Sequence, residues 1–216
     1  MHILRRLPFV LFMLVVIGCA GVYSDSHIGT TNAEAQRAVG YSIRLLIEGE
    51  LQRALTSLFL TAGGWRFYSS MVMLALAVGY VEATRGTITA ALTFLAIHIA
   101  TLLILATIVL FCQAFMPTLH SQLMLHAQDV GPSAGYYGCL GLAVAGLNPS
   151  MRGGVITVIL IVLFVRVAHS FAHMPEQVQV LEADLAHLIA FPLGIASSCF
   201  YRPVNCNMVD QVAKPI

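Results

Sequence analysis

The sequence is poor in charged residues. Only 10% of its 216 residues are Asp, Glu, Lys or Arg, whereas a soluble domain has roughly 25%. Hydrophobic residues make up 58% of the chain. This composition excludes an ordinary soluble domain and predicts an all-α integral membrane protein that crosses the bilayer several times. The net charge of only +1 gives no reason to expect a nucleic-acid partner.

Paired cysteines are also lacking. The five cysteines form no Cys-x-x-Cys motif, and most lie in apolar runs, where they behave as small apolar residues. We therefore expect no disulfide framework, no metal site and no cofactor. His169 and His173 lie one helical turn apart, a spacing that also suits a metal. Because no cysteine or carboxylate accompanies them, the pattern favours two histidines at a membrane interface.

Six apolar segments predict six membrane-spanning helices. The first lies within residues 1–24 and is interpreted as an uncleaved helix, although Val16-Ile17-Gly18-Cys19 resembles a lipoprotein cleavage site. Residues 25–66 are mixed in character and predict an external loop with interfacial segments. Glu182 and Asp184 are placed in an external turn before the last helix. The other five spans cover residues 65–81, 88–115, 133–147 and 153–172, and a last segment ending at Phe200.

Basic residues set the expected orientation. In a six-helix topology most of them share one side, which the positive-inside rule makes cytoplasmic. Both termini are therefore expected in the cytoplasm, with the protein in the plasma (inner) membrane. The predicted units are 1–24, 25–66, a five-helix remainder 67–203 and a C-terminal tail 204–216. The basic residues on the inner side are Arg5, Arg6, Arg85, Arg152, Arg202 and Lys214, while Arg37, Arg44, Arg53 and Arg66 of the outer loop run against the rule.

A serine and a histidine are the candidate functional residues, because they lie at matched depth. Ser133 precedes Leu147 by fourteen positions, as His187 precedes Tyr201. Each is therefore about 21 Å above the inner end of its span. In a hydrocarbon core roughly 30 Å thick, both lie about 10 Å below the outer surface. This match predicts that the two side chains meet inside the membrane.

The pair suits nucleophilic catalysis. A serine hydroxyl is a weak nucleophile until a base takes its proton, and a neutral imidazole within hydrogen-bond reach can do so. We therefore predict a Ser133–His187 dyad without a carboxylate, since Asp184 is expected in the external turn. Two alternatives stay open. Gly131-x-Ser133-x-Gly135 also fits the nucleophile elbow of soluble hydrolases, which needs a preceding strand, and its glycines also suit plain helix packing.

Several motifs, taken in order, resemble the rhomboid family of intramembrane serine proteases. Gly131-Pro132-Ser133-Ala134 resembles the family's nucleophile motif, and Tyr137 stands where members pack a tyrosine against the catalytic histidine. His187 with Gly194 resembles the motif of the last helix, although Ala190 replaces its first glycine. The resemblance covers about residues 48–194. Its other matches are Gly49-Glu50 with Arg53, Thr56-Ser57-Leu58-Phe59-Leu60, and Glu82 with Gly86.

The resemblance implies a six-transmembrane-helix, rhomboid-like bundle and a serine-type endopeptidase. Ser133 would be the nucleophile and His187 the general base, with Tyr137 and Gly131 in supporting roles. The implied substrates are single-pass transmembrane proteins, which reach the site from the lipid bilayer.

The start of the second helix departs from the family's pattern. Many members carry His-x-x-x-Asn there, which helps bind the oxyanion, but Arg66 and Ser70 stand at the corresponding positions. The predicted oxyanion donors are therefore the Ser133 backbone N–H with Ser70, Tyr68 or Arg66. Losing one such donor typically costs ~10²–10³-fold in rate. This departure supports a second hypothesis, a catalytically inactive rhomboid-like protein that binds membrane clients. A small transporter is disfavoured, because no charged residues line a path through the spans.

Overall fold

The computed structural model describes residues 7–201. This part of the chain is mostly helical and contains two isolated β-bridges but no β-strand. The basic residues Arg5, Arg6, Arg202 and Lys214 and the predicted tail lie outside the described residues. In chain order the α-helices are α1 (Pro8–Tyr23), α2 (Ala33–Val39), α3 (Ile43–Ile47), α4 (Arg53–Thr56), α5 (Trp65–Met73), α6 (Gly79–Arg85), α7 (Thr87–Phe115), α8 (Leu119–His126), α9 (Ser133–Ala145), α10 (Pro149–Ala172) and α11 (Val178–Ser197).

Four of the described helical segments are long and apolar enough to cross a membrane, so the chain is an integral membrane protein. A π-helical turn over Leu74–Val78 joins α5 and α6 into one of them. The predicted first and fourth spans are shorter, since α1 has 16 residues and α9 has 13. At 1.5 Å per residue they extend about 24 and 20 Å, less than a hydrocarbon core of roughly 30 Å. The four long segments are Trp65–Arg85, Thr87–Phe115, Pro149–Ala172 and Val178–Phe200.

The short helix α9 lies at the centre of the structure and packs against α7 and α11. Glycines allow the backbones of α9 and α11 to touch directly. A Cβ added to Gly194 would lie 2.0 Å from the carbonyl oxygen of Gly138, and one added to Gly141 would lie 2.1 Å from that of Phe191. Any side chain here would overlap main-chain atoms, so this contact fixes α9 and α11 relative to each other.

A buried glutamate holds the start of α1. The Glu82 carboxylate, in α6, accepts hydrogen bonds from the backbone N–H groups of Phe9 at 2.9 Å and Val10 at 2.8 Å. These groups belong to the first turn of α1, where no helical carbonyl can satisfy them and where a negative charge is favourable. Glu82 is 2% exposed, so it lies inside the bundle.

The segment before α5 folds back onto the helical core. Tyr41 and Ile43 are fully buried beside apolar residues of α7 and α11. The backbone of Tyr41 exchanges two hydrogen bonds, of 3.0 and 2.8 Å, with that of Asp129. His98, in α7, is hydrogen-bonded through Nε2 to the carbonyl oxygen of Ala54 at 2.8 Å. These contacts tie residues 41–54 to the end of the bundle where α9 begins.

Helix α10 is the least enclosed of the long helices. Only Leu163 and Ser170 are buried among its 24 residues. Most of its remaining surface is apolar and exposed, which suits contact with lipid chains.

Candidate functional site

A cavity of about 180 Å³ lies between the start of α9 and the neighbouring helices. Both Ser133 and His187 line this cavity, so the structure brings the two sequence-predicted residues to one site. The cavity is large enough for several water molecules. Of the other predicted residues, Gly131, Tyr137, Ser70 and Arg66 also line it.

A glycine turn positions Ser133 as the first residue of α9. Gly131 has φ +147°, a conformation that residues with a side chain rarely adopt. Its N–H donates to the carbonyl oxygen of Ser57 at 2.9 Å, which fastens the turn to the segment before α5. The helical hydrogen bonds of α9 begin with the N–H of Tyr136 donating to Pro132. The N–H groups before Tyr136 therefore lack helical partners at the end where Ser133 lies, as an oxyanion site requires.

The imidazole of His187 is buried and packed against an aromatic ring. Its ring stacks on that of Tyr137, with centroids 4.2 Å apart and planes at 25°. Within residues 7–201 neither ring nitrogen has a hydrogen-bond partner, so the Ser133–His187 hydrogen bond is not formed in this structure. Catalytic hydrogen bonds are often long or poorly aligned without substrate. The two groups share a cavity, and a local movement would be needed to join them.

Asp184 lies in a charged cluster beside His187, and its predicted position in an external turn was wrong. Asp184 and Glu182, which the sequence pattern put in an external turn, belong to α11 and are 2% and 1% exposed. Arg166 of α10 donates from Nε to Asp184 Oδ1 at 2.8 Å, and Ser170 donates from Oγ to Oδ2 at 2.5 Å. Asp184 Oδ1 also lies 3.8 Å from His187 Nδ1.

The physical reason for the burial of Asp184 is pairing between helices. A carboxylate is costly to bury unless a cation and hydrogen-bond donors compensate it. Arg166 does so from α10, where it is paired with Asp184. One sequence signal was available. Arg166 and Ser170 are four residues apart and Asp184 and His187 three apart, so each pair shares a helix face.

The three side chains predicted to bind an oxyanion separate into two groups. Ser70 and Arg66 line the cavity. Tyr68 is not among its lining residues; the Tyr68 side chain is 56% exposed, and its hydroxyl donates to the carbonyl oxygen of His27 at 2.8 Å. Of the three predicted side chains, Ser70 and Arg66 therefore lie at the cavity with Ser133.

His169 and His173, at the C-terminal end of α10, are exposed, and their ring centroids are 4.2 Å apart. His173 Nδ1 is within 2.8 Å of the backbone oxygen of His169. No group of three or more His, Cys, Asp or Glu side chains in the described part of the chain is arranged to hold a metal ion.

Asp129 adds an ionisable group to the cavity from the loop before α9. Burial raises the pKa of Asp129 from its ordinary value of 3.8 to about 6, although a backbone hydrogen bond at Val130 and the charge of Arg66 oppose this rise. Since the folded protein favours the protonated carboxyl, Asp129 supports folding fully below pH 3.8 and loses this contribution as the pH rises through about 6.

Replacing Asp129 by Asn is expected to stabilise the protein at pH 7. The amide cannot ionise, so the variant avoids the cost of a buried carboxylate, on the order of 1–3 kcal/mol. Thermal unfolding of the detergent-purified protein between pH 4 and 8 measures the difference, which should grow above pH 4 and level off above pH 6. Asp25→Asn, at an exposed position, is the matched control. An Asp129→Asn difference that does not vary with pH would contradict the prediction.

Comparison with known proteins found no family model that matches the chain and no matching curated protein. The function therefore has to be inferred from the cavity and from the residues that line it.

Proposed function

We propose that the protein is a serine endopeptidase that cleaves single-pass transmembrane proteins within the membrane, as its resemblance to the rhomboid family implies. The observation that carries the proposal is the meeting of Ser133 and His187 in one cavity. The stacking of His187 on Tyr137, which the family resemblance implies, adds to it.

The proposed reaction is acyl transfer through a covalent intermediate. Ser133 Oγ attacks the scissile carbonyl carbon while His187 accepts the hydroxyl proton. The carbon–nitrogen bond then breaks, and His187 returns the proton to the leaving amine. Water, activated by the same histidine, hydrolyses the acyl-enzyme and regenerates the serine. A cavity that admits water is required for this last step.

The oxyanion of the tetrahedral intermediate is assigned to the N-terminus of α9. The backbone N–H of Ser133 is the first donor, and Ser70 and Arg66 of α5 supply the side chains. Arg66 brings a full positive charge to a position where the family's pattern has a neutral donor. This substitution keeps a donor for the oxyanion while changing its chemistry.

The proposed architecture is a six-helix, rhomboid-like bundle in the plasma membrane, with both termini in the cytoplasm. Together with the four long segments, the short helices α1 and α9 make up the six helices of this bundle. Substrates enter beside α5 and α10, since α10 is the least enclosed helix and faces the bilayer. The partners of the protein are therefore its transmembrane substrates and the surrounding lipid.

Labelling with a fluorophosphonate probe tests the proposal. The purified wild-type protein should be labelled, because the probe reacts with an activated serine. Ser133→Ala should abolish labelling. Ser197→Ala is the matched control, since this serine donates only to the carbonyl oxygen of Gly194 in its own helix. A folded wild-type protein that does not react, or one labelled equally after Ser133→Ala, would overturn the proposal.

A second candidate is a catalytically inactive rhomboid-like protein that binds membrane clients. The observation that favours it is the unpartnered His187 ring, which leaves Ser133 without a hydrogen bond to its base. The lack of the family's His-x-x-x-Asn pair also favours a catalytically inactive protein. Such a protein would show no Ser133-dependent labelling but would retain single-pass clients in a detergent pull-down.

A further inference from the structure

Among residues 7–201, one carboxylate lies within 4.0 Å of a His187 ring nitrogen. Both ring nitrogens of His187 are buried and without a partner among the described residues. The acidic group beside the ring is Asp184, whose Oδ1 lies 3.8 Å from Nδ1. The two residues are three apart in α11, so they share one helix face.

The position of the Asp184 carboxylate is fixed from the neighbouring helix. The guanidinium of Arg166 contacts Oδ1 through Nε at 2.8 Å and through a terminal nitrogen at 2.6 Å. Ser170 contacts the other oxygen at 2.5 Å. Asp184 is 2% exposed, so water has little access to the carboxylate, although the Arg166 side chain is 42% exposed. Burial in this arrangement holds a charged oxygen beside His187 with little freedom to turn away.

We propose that Asp184 is a positioning residue for His187, so that the site functions as a Ser133–His187–Asp184 triad. This inference rests on the proposed function and deepens it. Its geometric basis is the carboxylate of Asp184, whose Oδ1 lies beside Nδ1 and which Arg166 and Ser170 of α10 hold through Oδ1 and Oδ2 respectively.

The role of Asp184 follows from the proton that His187 carries. In the resting state a carboxylate facing Nδ1 favours the tautomer with its proton on that nitrogen, which leaves Nε2 free to accept from Ser133. When His187 takes the serine proton, the carboxylate stabilises the positive ring. The present 3.8 Å separation must shorten by roughly 1 Å to give a full hydrogen bond.

Arg166 moderates this effect. It shares the same carboxylate oxygen with His187, and it also lines the cavity. The triad is therefore linked to α10, and the strength of the interaction between Asp184 and His187 depends on the position of that helix. The charged and titratable groups that face the ring are Asp184, Arg166 and Tyr137.

Two kinetic measurements separate positioning from a purely structural ion pair. Asp184→Asn should lower kcat for a single-pass reporter by roughly 10- to 100-fold with little change in KM. This loss is smaller than the ~10⁴-fold seen when the carboxylate bonds the histidine directly. Arg166→Gln removes the cation but keeps the carboxylate, and it should lose less kcat than Asp184→Asn. Asp184→Glu should recover part of the loss. Equal losses in Asp184→Asn and Arg166→Gln would overturn the proposal.

A spectroscopic test judges the proposal even if the protein is not a protease. With histidines selectively labelled with ¹⁵N, the His187 signals are identified by their loss in His187→Gln. The wild-type ring should carry its proton on Nδ1, and Asp184→Asn should increase the Nε2-protonated form. An unchanged tautomer would overturn the proposal. Absence of fluorophosphonate labelling in the wild type would instead reject the proposed protease function, so the two failures are distinguishable.

Discussion

Ser133→Ala and His187→Ala are each expected to reduce cleavage of a single-pass reporter by about 10⁴-fold or more, and the double variant should be no worse than either single one. The physical reason is that the two groups act as one unit. Without the base the hydroxyl is a weak nucleophile, and without the nucleophile the imidazole has nothing to activate. Their positions at one cavity make such interdependence possible.

Initial rates with purified protein in liposomes measure this effect. His169→Ala is the matched control for His187, since the His169 side chain is exposed and does not line the cavity, so this change should leave the rate unaltered. Ser197→Ala serves the same purpose for Ser133. If the single losses instead multiply in the double variant, the two residues act independently, and a nucleophile–base pair is contradicted.

Gly194→Ala is expected to destabilise the fold by about 3 kcal/mol, at the upper end of the usual cost of overpacking. The added Cβ would lie 2.0 Å from the carbonyl oxygen of Gly138. Because the obstacle is main chain rather than a flexible side chain, relief requires α9 and α11 to separate. This movement would also displace Ser133 and His187 from each other.

Unfolding in mixed micelles provides the measurement, with circular dichroism as the signal. Gly153→Ala is the control, because a Cβ at Gly153 meets nothing within 4 Å. That change should be neutral or stabilising by up to about 1 kcal/mol, as is usual for Gly→Ala inside a helix. Similar unfolding midpoints for the two variants would contradict the proposed role of the α9–α11 contact.

Depth along the spans predicted that Ser133 and His187 lie at one site. Both positions could be counted from apolar boundaries, and the structure places both at one cavity. The family resemblance predicted the neighbourhood of Tyr137 and His187, whose rings are stacked. The hydrogen bond between serine and histidine was predicted too, but it is not formed in this structure.

The environment of Asp184 could not be predicted from local charge alone. Two acidic residues near the end of an apolar segment suggest solvent, and only the approach of Arg166 and Ser170 from another helix explains the burial of Asp184. The burial of Tyr41 also depends on contacts with helices that are distant in sequence. Its segment is too short and too polar to span, yet packing against α7 and α11 encloses it.

The direct backbone contact between α9 and α11 has a mechanical consequence. It fixes the backbones that carry Ser133 and His187 to each other, while residues of α5 and α10 supply other parts of the cavity wall. In the proposed protease, the nucleophile and its base would therefore keep their relative placement when a substrate helix enters beside α5 and α10. Substitutions that weaken the contacts of α5 or α10 with this pair should widen the choice of substrate before they reduce the intrinsic reactivity of the serine.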